Sequence, residues 1–321
     1  MKTTQREISK LLLVSMFDCL GKVKLIMLAM MWCYSSQAQL ATQTITISGS
    51  QFANPLIGKW TSEYAKANSG VTFKFVKISA KSEPADLKLT VNSLSKSDVS
   101  ADESFVNVGR IAILPVTKYD NILFAKQFRN GIKQEELKNI FLQGEGEFVI
   151  DSEPEQKTEP LYTVYTQTPK SSTASVLISH FGKSDAELNG IIVTGDDKYL
   201  IESVLGDSTG VTYSNLGLIY DLNKRTPRSD IKILPIDPDN NGRLKKEELI
   251  YDNLDQLITF LESSKSKTIP TDEISFSYNA KNKNPLVADF VNWVVLSGQQ
   301  FNHQFGFLRT EDNKERTLTQ K

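Results

Sequence analysis

The strongest constraint on the fold is a regular alternation. From residue 44 onward, short β-rich runs alternate with amphipathic helical runs almost to the end of the chain. The run TITIS (44–48) reads as a strand, and 51–68 as a helix opened by Asn54-Pro55, since proline suits a helix's first turn. Strands are expected at 71–78, 85–91 and 110–116, then a helix at 131–142. A strand at 161–166, a helix at 172–181, a strand at 191–194 and a helix at 197–205 follow. Strands at 212–220 and 231–236, a long helix at 245–263, a strand at 274–278 and a final helix at 285–305 complete the order. Successive parallel strands need a crossover, and a helix supplies it, so the pattern predicts an α/β fold with mostly parallel sheets. No internal repeat is present; residues 151–160 read as a polar loop and the tail from Glu311 as frayed.

The first 38 residues are a different material. All five methionines and both cysteines, Cys19 and Cys33, lie within the first 33 residues. Lys22 and Lys24 precede an apolar run at 25–34, too short for a bilayer span of roughly 20 residues. Ser36-Gln37-Ala38 places small residues where a signal peptidase reads. The expectation is a cleaved secretory signal at 1–38, export and no stable membrane insertion. The remainder, lacking cysteine, has no disulfide, thiolate nucleophile or thiolate-ligated metal.

A formal net charge of −1 excludes the basic face of a general nucleic-acid binder. Enzymatic signatures are missing too: no G-x-S-x-G elbow, Walker loop, Rossmann glycine fingerprint or H-E-x-x-H occurs. The two histidines, His180 and His303, sit in apolar helical contexts and read as packed, hydrogen-bonded residues. The chain is therefore expected to bind rather than to catalyse.

The sharpest local pattern runs from Asp237 to Glu248, DPDNNGRLKKEE, and fits the twelve-residue calcium loop D-x-[DN]-x-[DN]-G-x5-E. Calcium takes six to eight oxygens. Asp237, Asp239 and Asn241 offer side-chain oxygens, Arg243 a main-chain carbonyl and Glu248 a bidentate carboxylate. Gly242 permits the sharp turn. The segment before it, IKILPI, reads as a strand, so the loop is not part of a helix–loop–helix pair, and Lys245 and Lys246 dilute its charge. An Asx-rich turn before a helix is the competing reading. A single loop points to a structural ion rather than a sensor.

Two further segments precede expected helices: Ser50, Gln51 and Phe52, and the run Thr166-Gln-Thr-Pro-Lys170-Ser171-Ser172-Thr173. Helix starts offer free N–H groups and a positive dipole end, so both suit an anion, although plain N-capping uses the same residues.

Taken together, these pieces resemble the periplasmic solute-binding proteins of ABC transporters, type II fold, in the phosphate-binding branch. Gly49-Ser-Gln51-Phe52-Ala-Asn-Pro55-Leu-Ile-Gly-Lys59-Trp60 stands where the family has G-x-T-F-x-x-P-x-x-x-K-W. Phe290-Val-Asn-Trp293, then Gly298-Gln299 and Gly306-Phe307, follow its C-terminal pattern; Leu137-Lys-Asn-Ile140-Phe141 matches its L-x-x-I-F helix. Val164-Tyr165 leads the second ligand loop, as in the family.

The resemblance implies two lobes, 39–116 with 272–321 and 117–271, around a cleft where both helix-start segments meet. It implies a phosphate-like or other small oxyanion held by Ser50, Gln51, Phe52, Lys170, Ser171, Ser172 and Thr173, an ABC transporter permease as partner, and a monomer. The chain departs from the family in three places. Gln51 replaces the first-lobe threonine, the arginine of the loop R-S-D-G-S-G-T is missing, and no counterpart of G-A-S-D lies between Ala85 and Val108. The alternative is a calcium-stabilised interaction module of the same fold that has lost phosphate binding and takes a protein or glycan partner.

Overall fold

The computed structural model describes residues 43–49, 51–76, 85–91, 103–121, 128–142, 162–183, 187–263, 267–279, 281 and 284–311. The expected signal at 1–38, Ser50, the polar loop at 151–160 and the tail beyond Glu311 lie outside them. In chain order the strands are β1 (Gln43–Gly49), β2 (Val71–Phe75), β3 (Leu87–Val91), β4 (Glu103–Lys118), β5 (Thr163–Thr166) and β6 (Ile191–Ile192). Then come β7 (Gly210–Asn215), β8 (Tyr220–Asp221), β9 (Thr226–Pro227), β10 (Ile231–Ile233) and β11 (Thr271–Asn279). The helices are α1 (Asn54–Ala67), α2 (Gln134–Phe141), α3 (Ser172–His180), α4 (Asp197–Gly206), α5 (Leu216–Ile219), α6 (Leu254–Ser263) and α7 (Pro285–Leu296).

The main sheet has the order β2-β1-β3-β11-β4-β7-β5-β6, with β10 also on β4. Its class is α/β, as the alternation predicts, but its middle is not parallel. The pairs β1–β3, β5–β6 and β5–β7 run parallel. β11 is antiparallel to both β3 and β4, and β4 is antiparallel to β7 and β10. The expectation of mainly parallel sheets fails at β4 and β11 because none of their pairings joins strands consecutive in the chain, so no single helical crossover sets them parallel.

β4 organises the molecule. Glu103 to Ala112 pair with β11, and Ile113 to Thr117 pair with β7. Its partner thus changes between Ala112 and Ile113. The run Ile111, Ala112, Ile113, Leu114 and Val116 is fully buried, so both faces are covered.

The buried apolar residues form one cluster along the sheet. On the β11 side, Trp60 of α1 packs on Phe276 and donates its indole N–H to Gly298 O at 2.9 Å. Tyr64 meets Phe73, Phe290 and Trp293 edge-on at 5.2–6.1 Å, a favoured aromatic geometry. On the β7 side, Phe141 of α2 lies edge-on to Tyr213 at 5.2 Å. All six residues of β7 are buried.

The strands expected at 191–194 and 231–236 are shorter, Ile191–Ile192 and Ile231–Ile233, and three expected elements break up. The run 245–263 divides into a 3-10 turn, Lys246–Glu248, and α6. Between them Tyr251 is buried, its hydroxyl donates to Ile236 O, and Asn253 Oδ1 accepts from the Asp255 and Gln256 N–H groups, which starts a new helix. The run 285–305 breaks at Ser297 into α7 and a 3-10 helix, Gly298–Phe305, ended by Gly306 at φ +78°. The run 212–220 turns from β7 into the short α5.

Candidate functional site

Two groups of residues singled out from sequence fall into two places. The first is where helix starts converge. A 3-10 turn, Gln51–Ala53, leads into α1, whose first turn carries Pro55. The Gln51 amide nitrogen, turned toward the carboxylate, donates to both oxygens of Asp196 at 2.8 Å each. Asp196 has the extended backbone of an N-cap residue at the start of α4, yet its side chain does not cap that helix. Its carboxylate is therefore available to residue 51, 145 positions away in sequence.

Next to it, Asp197 lies at the start of α4. Its Oδ1 is 3.2 Å from the Thr173 hydroxyl, and its Oδ2 accepts from Asn215 Nδ2 at 3.3 Å. Burial pushes the Asp197 carboxyl up, and hydrogen bonds from Thr173, Asn215 and Gln167 only partly offset it. The Thr173 hydroxyl faces a second acceptor, Gln167 Oε1, also at 3.2 Å, and Gln167 Nε2 donates to Gly195 O. Gln51, Thr173, Asp196 and Asp197 thus form one connected polar patch, with the starts of α3 and α4 beside it.

The remaining predicted anion residues are placed as follows. Ser171 Oγ accepts from Ala174 N–H at 3.3 Å, a plain N-cap of α3. Ser172 is buried at the start of α3. Lys170 is exposed and has no ion pair among the described residues. Phe52 packs its ring on Phe307 at 5.9 Å and so belongs to the core margin. Ser50 is outside the described residues. Sequence reasoning missed Asp196, Asp197 and Asn215. The signal was there: Gly195-Asp196-Asp197 precedes an expected helix, like the other two segments.

The second place is the loop 237–248. One side-chain oxygen each of Asp237, Asp239 and Glu248 lies within 4.8 Å of the others. Asp237 and Glu248 are buried and Asp239 is exposed. Asp237 Oδ2 accepts from Gly242 N–H at 2.5 Å, while its Oδ1 is buried and accepts no hydrogen bond among the described residues. Asp239 Oδ1 accepts from Asn241 N–H, and Asn241 Oδ1 from Arg243 N–H at 2.9 Å. Gly242 has φ +87°, and a Cβ there would come 2.8 Å from Lys133 Cε. The Lys245 ammonium lies against Asp239 Oδ2, and its hydrogen bond holds the Asp239 carboxyl below the usual range. Glu248 Oε2 accepts from Lys245 N–H at 2.8 Å. These three converging carboxylates are donors a hard divalent cation would use, with Lys245 as the competing charge.

Neither histidine enters either site. His180 Nε2 donates to Gln134 Oε1 at 2.7 Å, and burial pushes its pKa down to about 4. His303 Nε2 is 2.7 Å from Glu262 Oε1, which also accepts from Arg309 N–H. Burial would raise the Glu262 carboxyl, but those two contacts bring it below its ordinary value.

No family model and no curated protein matches the sequence. Solved structures do match in fold. An ABC-type phosphate transport receptor from Vibrio cholerae aligns at TM-score 0.54 and 14% identity, over 84% of this chain and 100% of that one. A phosphate ABC transporter substrate-binding protein from Clostridium perfringens, solved with bound phosphate, aligns at TM-score 0.55 and 12% identity, over 84% and 100%. At such identities the likeness is one of fold. The chain shares with them a mixed α/β fold, a central sheet flanked by helices, as the sequence resemblance implied.

Proposed function

We propose that this chain is a non-enzymatic, exported solute-binding protein that serves an ABC transporter in the periplasm, working as a monomer with a permease as partner. Its two lobes, 39–116 with 272–321 and 117–271, take a small phosphate-like oxyanion between them. One observation carries the reading: Gln51 reaches Asp196 beside Thr173, so helix starts from remote parts of the chain meet at one polar patch. The fold shared with the phosphate receptors supports it.

The chemistry of the patch narrows the solute. Helix starts and Lys170 supply donors to an anion. Asp196 supplies only acceptors, so an anion beside it has to bring its own proton. Phosphate near neutral pH does so, and sulfate and molybdate do not. Titration calorimetry and thermal shift with all three should rank phosphate first. No response to any of them would refute the oxyanion reading.

A second reading is favoured by a specific observation. Gln51 is already satisfied by Asp196, Thr173 by Asp197 and Gln167, and the N-cap of α3 by Ser171. With these donors committed internally, the same fold becomes a calcium-stabilised interaction module for a protein or glycan. That reading predicts a thermal shift with calcium and none with the anions.

A further inference from the structure

The loop 237–248 stands apart from the solute patch, and its geometry asks for a positive charge. Asp237 is fully buried, yet one of its two carboxylate oxygens accepts no hydrogen bond among the described residues. A buried, unpartnered carboxylate oxygen is costly, and the usual remedies are a hydrogen-bond donor or a coordinated cation. No donor is supplied among the described residues. Instead two more carboxylates, those of Asp239 and Glu248, offer oxygens within 4.8 Å. Three negative groups so close repel one another, and Lys245 offsets part of that by resting on Asp239.

The loop is also tied to its surroundings at two points. Asn240 Oδ1 accepts from Gln134 N–H at 2.9 Å, at the start of α2. Pro238 O accepts from the Thr268 hydroxyl at 3.0 Å, and Thr268 O accepts from Gln134 Nε2. Thr268 lies three residues ahead of β11, on the segment that carries the chain back to the middle of the sheet. Whatever stiffens the loop therefore stiffens that return segment.

We propose that residues 237–248 bind one calcium ion, through carboxylate oxygens of Asp237, Asp239 and Glu248, the Asn241 amide oxygen and the Arg243 carbonyl, and that the ion clamps the segment leading into β11. The donor set is all oxygen, which selects calcium or magnesium over softer metals. A loop of short Asx turns, with a bidentate glutamate at its end, fits the larger and less demanding calcium better than octahedral magnesium. Binding displaces the Lys245 ammonium from Asp239, which weakens the site. Its dissociation constant falls in the range of extracellular modules, on the order of 10⁻⁴–10⁻³ M.

The test uses the whole chain, stripped with a chelator and titrated with calcium chloride or magnesium chloride. Calorimetry and native mass spectrometry should show one calcium per chain, bound at least about tenfold tighter than magnesium. At tenfold excess over the dissociation constant, Tm should rise by about 2 °C. Hydrogen exchange should slow at 237–248 and at 268–271. Glu248→Gln should lower calcium affinity at least about tenfold; if it fails to fold, the exposed Asp239→Asn replaces it with the same expectation. Absence of stoichiometric calcium at 5 mM (about ten times the expected constant) overturns the site. So does a variant with unchanged affinity. Protection confined to the loop, with 268–271 unaffected, overturns the clamp.

Discussion

His180 gives the most direct test of the packing around α3. Its ring is partly buried, edge-on to Phe181 at 4.9 Å, and its Nε2–H donates to Gln134 Oε1. Burial takes its pKa from 6.5 to about 4. The native state therefore resists a proton that the unfolded chain accepts below pH 6.5. Above that pH neither state is protonated and the residue contributes no pH dependence. As pH falls toward 4, the unfolded state gains protons first and stability is lost. From those two values the loss is about 2 kcal/mol between pH 7 and pH 5, and about 3 kcal/mol by pH 4. Urea denaturation at a series of pH values, read by tryptophan fluorescence, measures it. With a slope of about 3 kcal/mol/M, the midpoint should fall by about 0.6 M between pH 7 and pH 5. Carboxylates also begin to titrate near pH 5, so the comparison is with His180→Gln, which keeps a hydrogen-bonding group and cannot ionise. The variant should lose most of that slope. Equal slopes for the two proteins between pH 7 and pH 5 would refute the assignment of a neutral, buried His180.

Three other outcomes are expected. Gly49 has φ +146°, and a Cβ there would lie 2.4 Å from Leu89 O, so Gly49→Ala should disrupt the β1–β3 pairing and cost at least about 2 kcal/mol; a melting temperature within 1 °C of wild type would contradict this. Trp60→Ala removes a fully buried ring and orphans Gly298 O, and should cost about 3–5 kcal/mol by chemical denaturation, with a cost below about 1 kcal/mol counting against the packing described. Asp196→Ala should lower phosphate affinity about tenfold and abolish preference over sulfate, as expected for loss of a hydrogen bond to a charged group; calorimetry showing an unchanged preference would exclude Asp196 from the site.

The alternation of runs made the α/β class, most strands and the helices α1 to α4 and α7 legible, because each carries its own period and its own start signal. Pro55 and Ser171 marked helix starts in sequence and stand there in the structure. What could not be read were effects of distant partners. The extension of β4 back to Glu103 depends on β11, whose sequence lies more than 160 residues on. The break at 249–253 depends on Tyr251 reaching Ile236 O, which no helical periodicity reports. The site followed the same division. The cluster of Asp237, Asp239 and Glu248 was legible because these residues are close in sequence. Asp196 was not, because its partner, Gln51, is brought to it only by the fold.

The position of β11 has a consequence for how the molecule acquires its structure. It follows β3 and β4 by more than 150 residues in the chain, yet it sits between them. Until Thr271–Asn279 arrives, β3 and the first part of β4 expose unpaired backbone, and the apolar face under Phe276 is open. Closing the register requires chain ends far apart in sequence to meet, which is slow and not rewarded until it is complete. A fragment ending at residue 270 should stay unfolded and prone to strand-edge association. The chain thus has a built-in delay: β3 and β4 wait for Thr271–Asn279 before the middle of the sheet can close.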